Sequence, residues 1–131
     1  MKLQSQLQIS VHQRILIAAP SGELDHHQAE RLRAKIDAEY DKASCRHILL
    51  DMSGVTFMDS SGIGMIIGRY KNAEASGGRL IICGMSENIS KIYEISGLAK
   101  IIQRVDSVEA ALNFFGCGAQ GTQLISTTGL E

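Results

Sequence analysis

The residues of this chain that could do chemistry gather in two short runs, Gly22-Glu23-Leu24-Asp25-His26-His27 and Phe57-Met58-Asp59-Ser60-Ser61-Gly62. In the second, Asp59 is placed to cap a helix that begins at Ser60. Two serine hydroxyls then stand in the first turn, where N–H groups lack partners inside the helix and the dipole end carries about half a positive charge. A phosphate on Ser60 would find amide donors there and would add roughly −1.5 to −2 charges at pH 7. Asp59 lies beside it, and Glu23 and Asp25 join if the two runs are neighbours in space. That edge would become strongly anionic, and a partner docked on it would meet repulsion. Asp-Ser-Ser is equally an ordinary helix cap, and local chemistry alone leaves both readings standing.

Other chemistries find less support. Gly62-x-Gly64-x-x-x-Gly68 misses the dinucleotide fingerprint by one residue, and no Walker Gly-Lys-Ser/Thr occurs. Neither serine sits in a Gly-x-Ser-x-Gly elbow. His26 and His27 are adjacent in a first turn and point in different directions, so one helix cannot offer both to one metal. Asp51 with Asp59 suggests a magnesium-assisted acceptor aspartate, but no acidic pair on an earlier strand and no well-placed lysine completes it. Neither a metal nor a resident cofactor is expected. Cys45, Cys83 and Cys117 are odd in number, widely spaced and without a CxxC, which fits free thiols in a reducing compartment.

These turns need a frame. Leu7, Ile9 and Val11 alternate with polar residues, as do Ile15, Ile17 and Ala19, which predicts two strands with one buried face. Pro20-Ser21-Gly22 breaks the pattern. Asp25 and Gln28 then open a helix in capping-box register, with Ala29, Leu32, Ile36 and Tyr40 on its buried stripe. Ile48-Leu49-Leu50 is a short apolar run, as in a central parallel strand buried on both faces.

Val55 to Met58 leads into a second helix over 60–75, whose inner face is Ile63, Ile66, Ile67, Tyr70 and Ala73. Gly64 and Gly68, four apart, leave a groove on it; each costs up to about 1 kcal/mol against alanine, so a contact reason is expected. Leu80 to Cys83 is a buried strand, and Ser86 caps a short helix with Ile89, Ile92 and Tyr93. Lys100-Ile101-Ile102 is a final strand, and Asp106 with Glu109 opens a last helix ending at Gly116. Alternating strands and helices imply an α/β fold with right-handed crossovers and a mostly parallel sheet.

Composition sets the outer bounds. At 131 residues, with 44% hydrophobic and 21% charged side chains, the chain has the size and balance of one globular domain. A net charge of −1 argues against non-specific nucleic-acid binding. No apolar run is long enough to span a membrane, and the first residues lack a signal peptide's apolar stretch, so a cytoplasmic protein is expected. One domain over 1–116 and a flexible tail over 117–131 complete the expectation.

Taken together, Gly22 to His27, Arg46-His47-Ile48-Leu49-Leu50-Asp51 and Phe57 to Gly64 resemble the bacterial anti-sigma factor antagonists; Gly68-Arg69-Tyr70-Lys71 and Ile95-Ser96-Gly97-Leu98 continue the likeness. The Gly-Glu-Leu-Asp-His-His and Gly-Arg-Tyr-Lys segments are most similar to the sporulation branch of that family. The resemblance implies a STAS-type domain: a four- to five-stranded sheet with an N-terminal strand pair, packed by about four helices. It implies a binding protein rather than an enzyme, and a partner that is at once an anti-sigma factor and a GHKL-type serine kinase using ATP. The unphosphorylated antagonist would bind that kinase and free the sigma factor, phosphorylation would inactivate it, and a PP2C-type phosphatase would restore it. The family's acceptor serine maps to Ser60. Glu23, Asp25, Asp59, Ser61, Gly62 and Gly64 are the expected partner-binding residues. A general stress-response antagonist, or a nucleotide-binding sensory module of the same fold, is the alternative.

Overall fold

Period-two alternation makes β1 (Gln6–His12) and β2 (Ile15–Leu24) an antiparallel hairpin. Its two-residue loop, Gln13 and Arg14, has φ of 49° and 69°, the doubly left-handed geometry that matches strand twist in a tight hairpin. The computed structural model describes residues 6–116 and 123–127. After the hairpin come α1 (His26–Lys42), β3 (His47–Asp51), β4 (Gly54–Met58), α2 (Ser60–Ala75), β5 (Leu80–Cys83) and α3 (Glu87–Ile95). A single 3-10 turn (Leu98–Lys100), β6 (Gln103–Val105), α4 (Val108–Phe114) and β7 (Gln123–Thr127) follow.

The strands form one sheet in the order β6-β5-β3-β2-β1-β7, with β4 paired to β2 beyond the end of β3. β2, β3, β5 and β6 are parallel neighbours, and β4 runs parallel to β2. The sheet is therefore the mostly parallel α/β sheet expected, widened by β4 and β7.

Alternate residues of the central strands feed two cores. Leu16, Ala18, Ile48, Leu50, Leu80 and Ile82 pack with α1, α2 and α3 on one face. Ile15, Leu49, Ile81 and Cys83 pack with Ala111 and Leu112 of α4 on the other. Burial on both sides is why β3 reads as an unbroken apolar run.

Several local expectations shift. β2 does not stop at Pro20. Its pairing with β3 ends at Ala18↔Leu50 and that with β4 starts at Ser21↔Gly54, so Pro20 falls in the gap between the two parallel ladders. Gly22, at φ 87°, carries the chain through the register shift that follows. The strand expected at Lys100-Ile101-Ile102 lies at Gln103–Val105 instead. The amides of Lys100, Ile101 and Ile102 bond back to Gly97 and Leu98, and the Tyr93 hydroxyl donates to the Ile102 carbonyl, so the ladder cannot begin earlier. Ser107, not Asp106, caps α4, accepting the Ala110 N–H at 3.0 Å.

On α2 the buried face is Gly62, Met65, Ile66, Arg69 and Ala73, rotated from the expected stripe to include a charged side chain. Of the segment read as a tail, residues 123–127 form β7 on the free side of β1, and the others lie outside the described residues.

Candidate functional site

The two chemistry-bearing runs do meet. β2 and β4 end side by side in parallel, with Glu23 opposite Phe57 and Leu24 opposite Met58. Each strand turns at once into a helix, so α1 and α2 present their N-termini next to one another, at the strand C-terminal ends where α/β sheets gather function. The Asp59 amide donates to the Leu24 carbonyl at 3.4 Å and ties the turns together. Gly62 sets how close they come: a β-carbon there would stand 2.8 Å from the Leu24 carbonyl oxygen and 2.6 Å from Met58 Cγ.

Both helix starts are capped by aspartates. Asp25 Oδ1 accepts the Gln28 N–H at 3.0 Å. Asp59 Oδ1 accepts the N–H groups of Ser61 and Gly62 at 2.8 and 3.2 Å. The amides that sequence reasoning offered to a phosphate are thus already engaged by Asp59. Ser60, the first residue of α2, is exposed beside that fixed carboxylate. Asp59 is its chain neighbour, and the exposed Glu23 and half-buried Asp25 stand on the adjoining turn at the end of β2. Phe57, 44% exposed, adds an apolar face to the same edge.

The Ser61 hydroxyl lies 3.5 Å from His26 Nδ1, outside the roughly 2.6–3.2 Å of an activated nucleophile and its base. Asp51 is used locally: its Oδ1 accepts the Ser53 hydroxyl at 2.6 Å and the Ser53 N–H at 3.1 Å, closing a turn. Cys45 and Cys83 are buried thiols whose pKa values burial pushes up to about 11 and about 12, so they stay protonated. Among the described residues, no group of three or more His, Cys, Asp or Glu could hold a metal ion. No helix among them is long and apolar enough to cross a membrane.

Beside the serines, α1 and α2 leave an open groove of about 430 Å³, bordered by His26, Glu30, Arg33, Ser61, Gly64 and Gly68. Nothing beyond the helix's own backbone lies within 4 Å of where β-carbons on Gly64 or Gly68 would be, so a side chain at either position would enter the groove unopposed. The Glu23, Asp25, Asp59, Ser60, Ser61 and Gly62 turns and Gly64 therefore share one edge of the molecule.

Sequence reasoning missed the charge chain under the groove. Arg33 bridges Glu30 at 2.5 Å and Asp37 at 3.4 Å, and Asp37 Oδ1 lies 3.0 Å from Nε of the buried Arg69. That last contact is an ion pair without hydrogen-bond alignment, since Arg69 Nε and Nη1 are buried with no hydrogen-bond partner. The Arg33 hydrogen bond holds the Glu30 carboxyl below its ordinary value. The spacing of Glu30, Arg33 and Asp37 on one helix was the available signal.

Comparison with known proteins agrees with this geometry. The STAS domain family matches residues 6–111. The chain is 37% identical over 107 residues to the anti-sigma F factor antagonist of Paenibacillus polymyxa, covering 82% of this chain and 92% of that protein. Among solved structures, it superposes on the anti-sigma factor antagonist SpoIIAA in its unphosphorylated form with a TM-score of 0.66 at 29% identity, covering 84% of this chain and 96% of that one. The Bacillus cell fate determinant SpoIIAA in its phosphorylated form gives a TM-score of 0.66 at 32% identity, covering 83% and 98%.

Proposed function

The chain belongs to the STAS domain family, among its anti-sigma factor antagonists, and we propose that it works as a partner switch thrown by phosphorylation of Ser60. In this reading the unphosphorylated edge around Ser60 binds an anti-sigma factor, which releases its sigma factor, and a phosphate on Ser60 ends that binding. The anti-sigma factor is itself a GHKL-type serine kinase, and a PP2C-type phosphatase reverses the step. The sporulation branch is the context favoured by the named relatives.

One observation carries the reading: Ser60 is exposed at the head of α2 while Asp59 already holds the neighbouring amides. A phosphate there cannot be absorbed into the helix cap. It stays outside as roughly −1.5 to −2 charges against a rim of Asp59, Asp25 and Glu23. A partner carboxylate brought within about 5 Å of that phosphate would be repelled by roughly 3 kcal/mol at an effective dielectric near 20, which is on the order of a hundredfold in affinity. An electrostatic switch of that size needs no change of fold. The relatives solved in unphosphorylated and phosphorylated forms each superpose on this chain with a TM-score of 0.66, which supports the same economy.

The test is a binding assay with the cognate kinase, with and without ATP. Wild-type protein should dissociate as phosphate accumulates, Ser60→Ala should stay bound, and Ser60→Asp should bind weakly from the start. Mass spectrometry that placed the phosphate on Ser61, or release of the Ser60→Ala protein by ATP, would overturn the assignment.

A further inference from the structure

β1 has a neighbour on both sides, and the two pairings differ in kind. On the inner side every residue from Gln6 to His12 is in register with β2, from Gln6↔Ser21 to His12↔Ile15. On the outer side β7 pairs antiparallel through Ile9↔Thr127 and Val11↔Gln123, so two steps along β1 correspond to four along β7. A ladder that slips in this way is weakly specified and forms fewer regular bonds. β7 also lies beyond the residues matched by the family, 6–111.

The edge beneath it is unusually unguarded. Strands at sheet edges are protected by charges, proline or bulges. Gln-Leu-Gln-Ile-Ser-Val-His contains no Lys, Arg, Asp, Glu or Pro. It is also self-complementary. Paired antiparallel with a copy of itself about Ile9, it sets Leu7 opposite Val11 and Ile9 opposite Ile9, while Gln8 faces Ser10 on the other side of the sheet. Leu7 and Ile9 already belong to the helix-side core, so this register keeps apolar residues with apolar ones. The slipped register of β7 meanwhile makes its own outer edge a poor template, so the cover does not recreate the hazard it hides.

We propose that residues 123–127 are a displaceable cover on the β1 edge, and that β1 uncovered pairs with β1 of a second copy of this chain to run one continuous sheet through both subunits. The covered form is the monomer. Release of β7 converts the chain to a two-fold dimer, because the isologous contact closes on itself and does not propagate. This device is separate from the Ser60 edge, and the two readings fail independently.

The experiment uses the full chain and Ile125→Pro, which restricts the backbone midway between the two paired positions of β7, Gln123 and Thr127. Sedimentation in the micromolar range should give a monomer for the wild type and a species of doubled mass for Ile125→Pro. Hydrogen exchange should show the β1 amides about tenfold less protected in dilute Ile125→Pro than in the wild type, with protection returning as the protein is concentrated. Adding Gln8→Lys and Ser10→Lys to Ile125→Pro sets lysines against each other across the two-fold and should restore the monomer. A wild-type dimer, an Ile125→Pro monomer at every concentration, or a dimer that survives both lysines would each overturn the proposal.

Discussion

Gly62 sits so close to Leu24 that a β-carbon on it would stand 2.8 Å from the Leu24 carbonyl oxygen, a backbone atom that cannot step aside. Gly64, two residues along the same helix, has nothing within 4 Å of that position. The two glycines should therefore respond oppositely to alanine. Gly62→Ala gains helix propensity but wedges the β2 and β4 turns apart, and overpacking of this kind costs about 1–3 kcal/mol. Gly64→Ala gains up to about 1 kcal/mol with no opposing clash. Urea midpoints should fall for the first and rise for the second. If Gly64 contacts the partner, Gly64→Ala should also bind it less well while folding better. A loss of stability at Gly64 would mean that the groove is filled from within the chain.

How much of this was readable beforehand depended on whether the signal was local. The limits of α2, though not its buried face, were legible because they are written beside it: Asp59 caps it and the Gly77-Gly78 pair follows its end. β3 and β5 were legible because burial on both faces leaves an unbroken apolar run. β4 was not, since Val55 and Met58 are buried while Thr56 and Phe57 are exposed, and that pattern matches no period. Its identity as a strand comes from β2, whose own extension past Pro20 and Gly22 depends on a change of neighbour that no local pattern encodes. The Ser60 turn was visible as chemistry, but the engagement of its amides by Asp59 needed coordinates. Arg69 was left off the inner face of α2 for the same reason: its partner Asp37 lies on another helix.

Arg69 is 6% exposed, and its charge is balanced by Asp37, whose side chain is 28% exposed. Removing one member of a buried pair strands the other, at about 3–5 kcal/mol when both are fully buried. Partial exposure of Asp37 lets solvent screen the loss, so Asp37→Ala should cost about 2 kcal/mol, read as a lower urea midpoint. Arg69→Met removes the charge and keeps the stem's packing, and should fall within about 1 kcal/mol of wild type. The double variant should then be no worse than Asp37→Ala alone. Additive losses would show that Asp37 stabilises α1 through Arg33 and not by neutralising Arg69.

His47 links β3 to α4. Its Nδ1 accepts the Arg79 N–H at 3.0 Å, and its ring stacks on Phe115 with centroids 4.5 Å apart. Burial, with Arg46, Arg14 and Arg79 nearby, holds its pKa below the ordinary 6.5. The folded state therefore releases this proton more readily than the unfolded chain. The resulting stabilisation is fully present above about pH 6.5 and is lost as pH falls through the folded-state value. Between about pH 7.5 and 5.5 the wild type should lose more stability than His47→Gln, whose side chain does not titrate. Parallel stability curves for the two proteins would remove His47 from the acid sensitivity of the fold.

Glu23 and Asp25 test the electrostatic side of the proposed switch without touching the serine. Asp25 caps α1 through the Gln28 N–H, and asparagine caps as well as aspartate, so Asp25→Asn removes charge while keeping the helix start. Glu23→Gln does the same on an exposed strand end. If this rim steers a basic partner surface, each variant should slow association with the anti-sigma factor by roughly two- to tenfold at low salt and leave dissociation nearly unchanged. Raising the salt should shrink the difference as screening lengths fall to about 8 Å at physiological ionic strength. A phosphate carries the same sign as this rim, so it opposes binding only where it displaces the partner's contact with Ser60, and the neutralised variants should lose as much affinity on phosphorylation of Ser60 as the wild type does. Association rates that match wild type at low salt would remove Glu23 and Asp25 from the interface, and a phosphate effect that shrinks in the variants would show that the acidic rim shares in the repulsion.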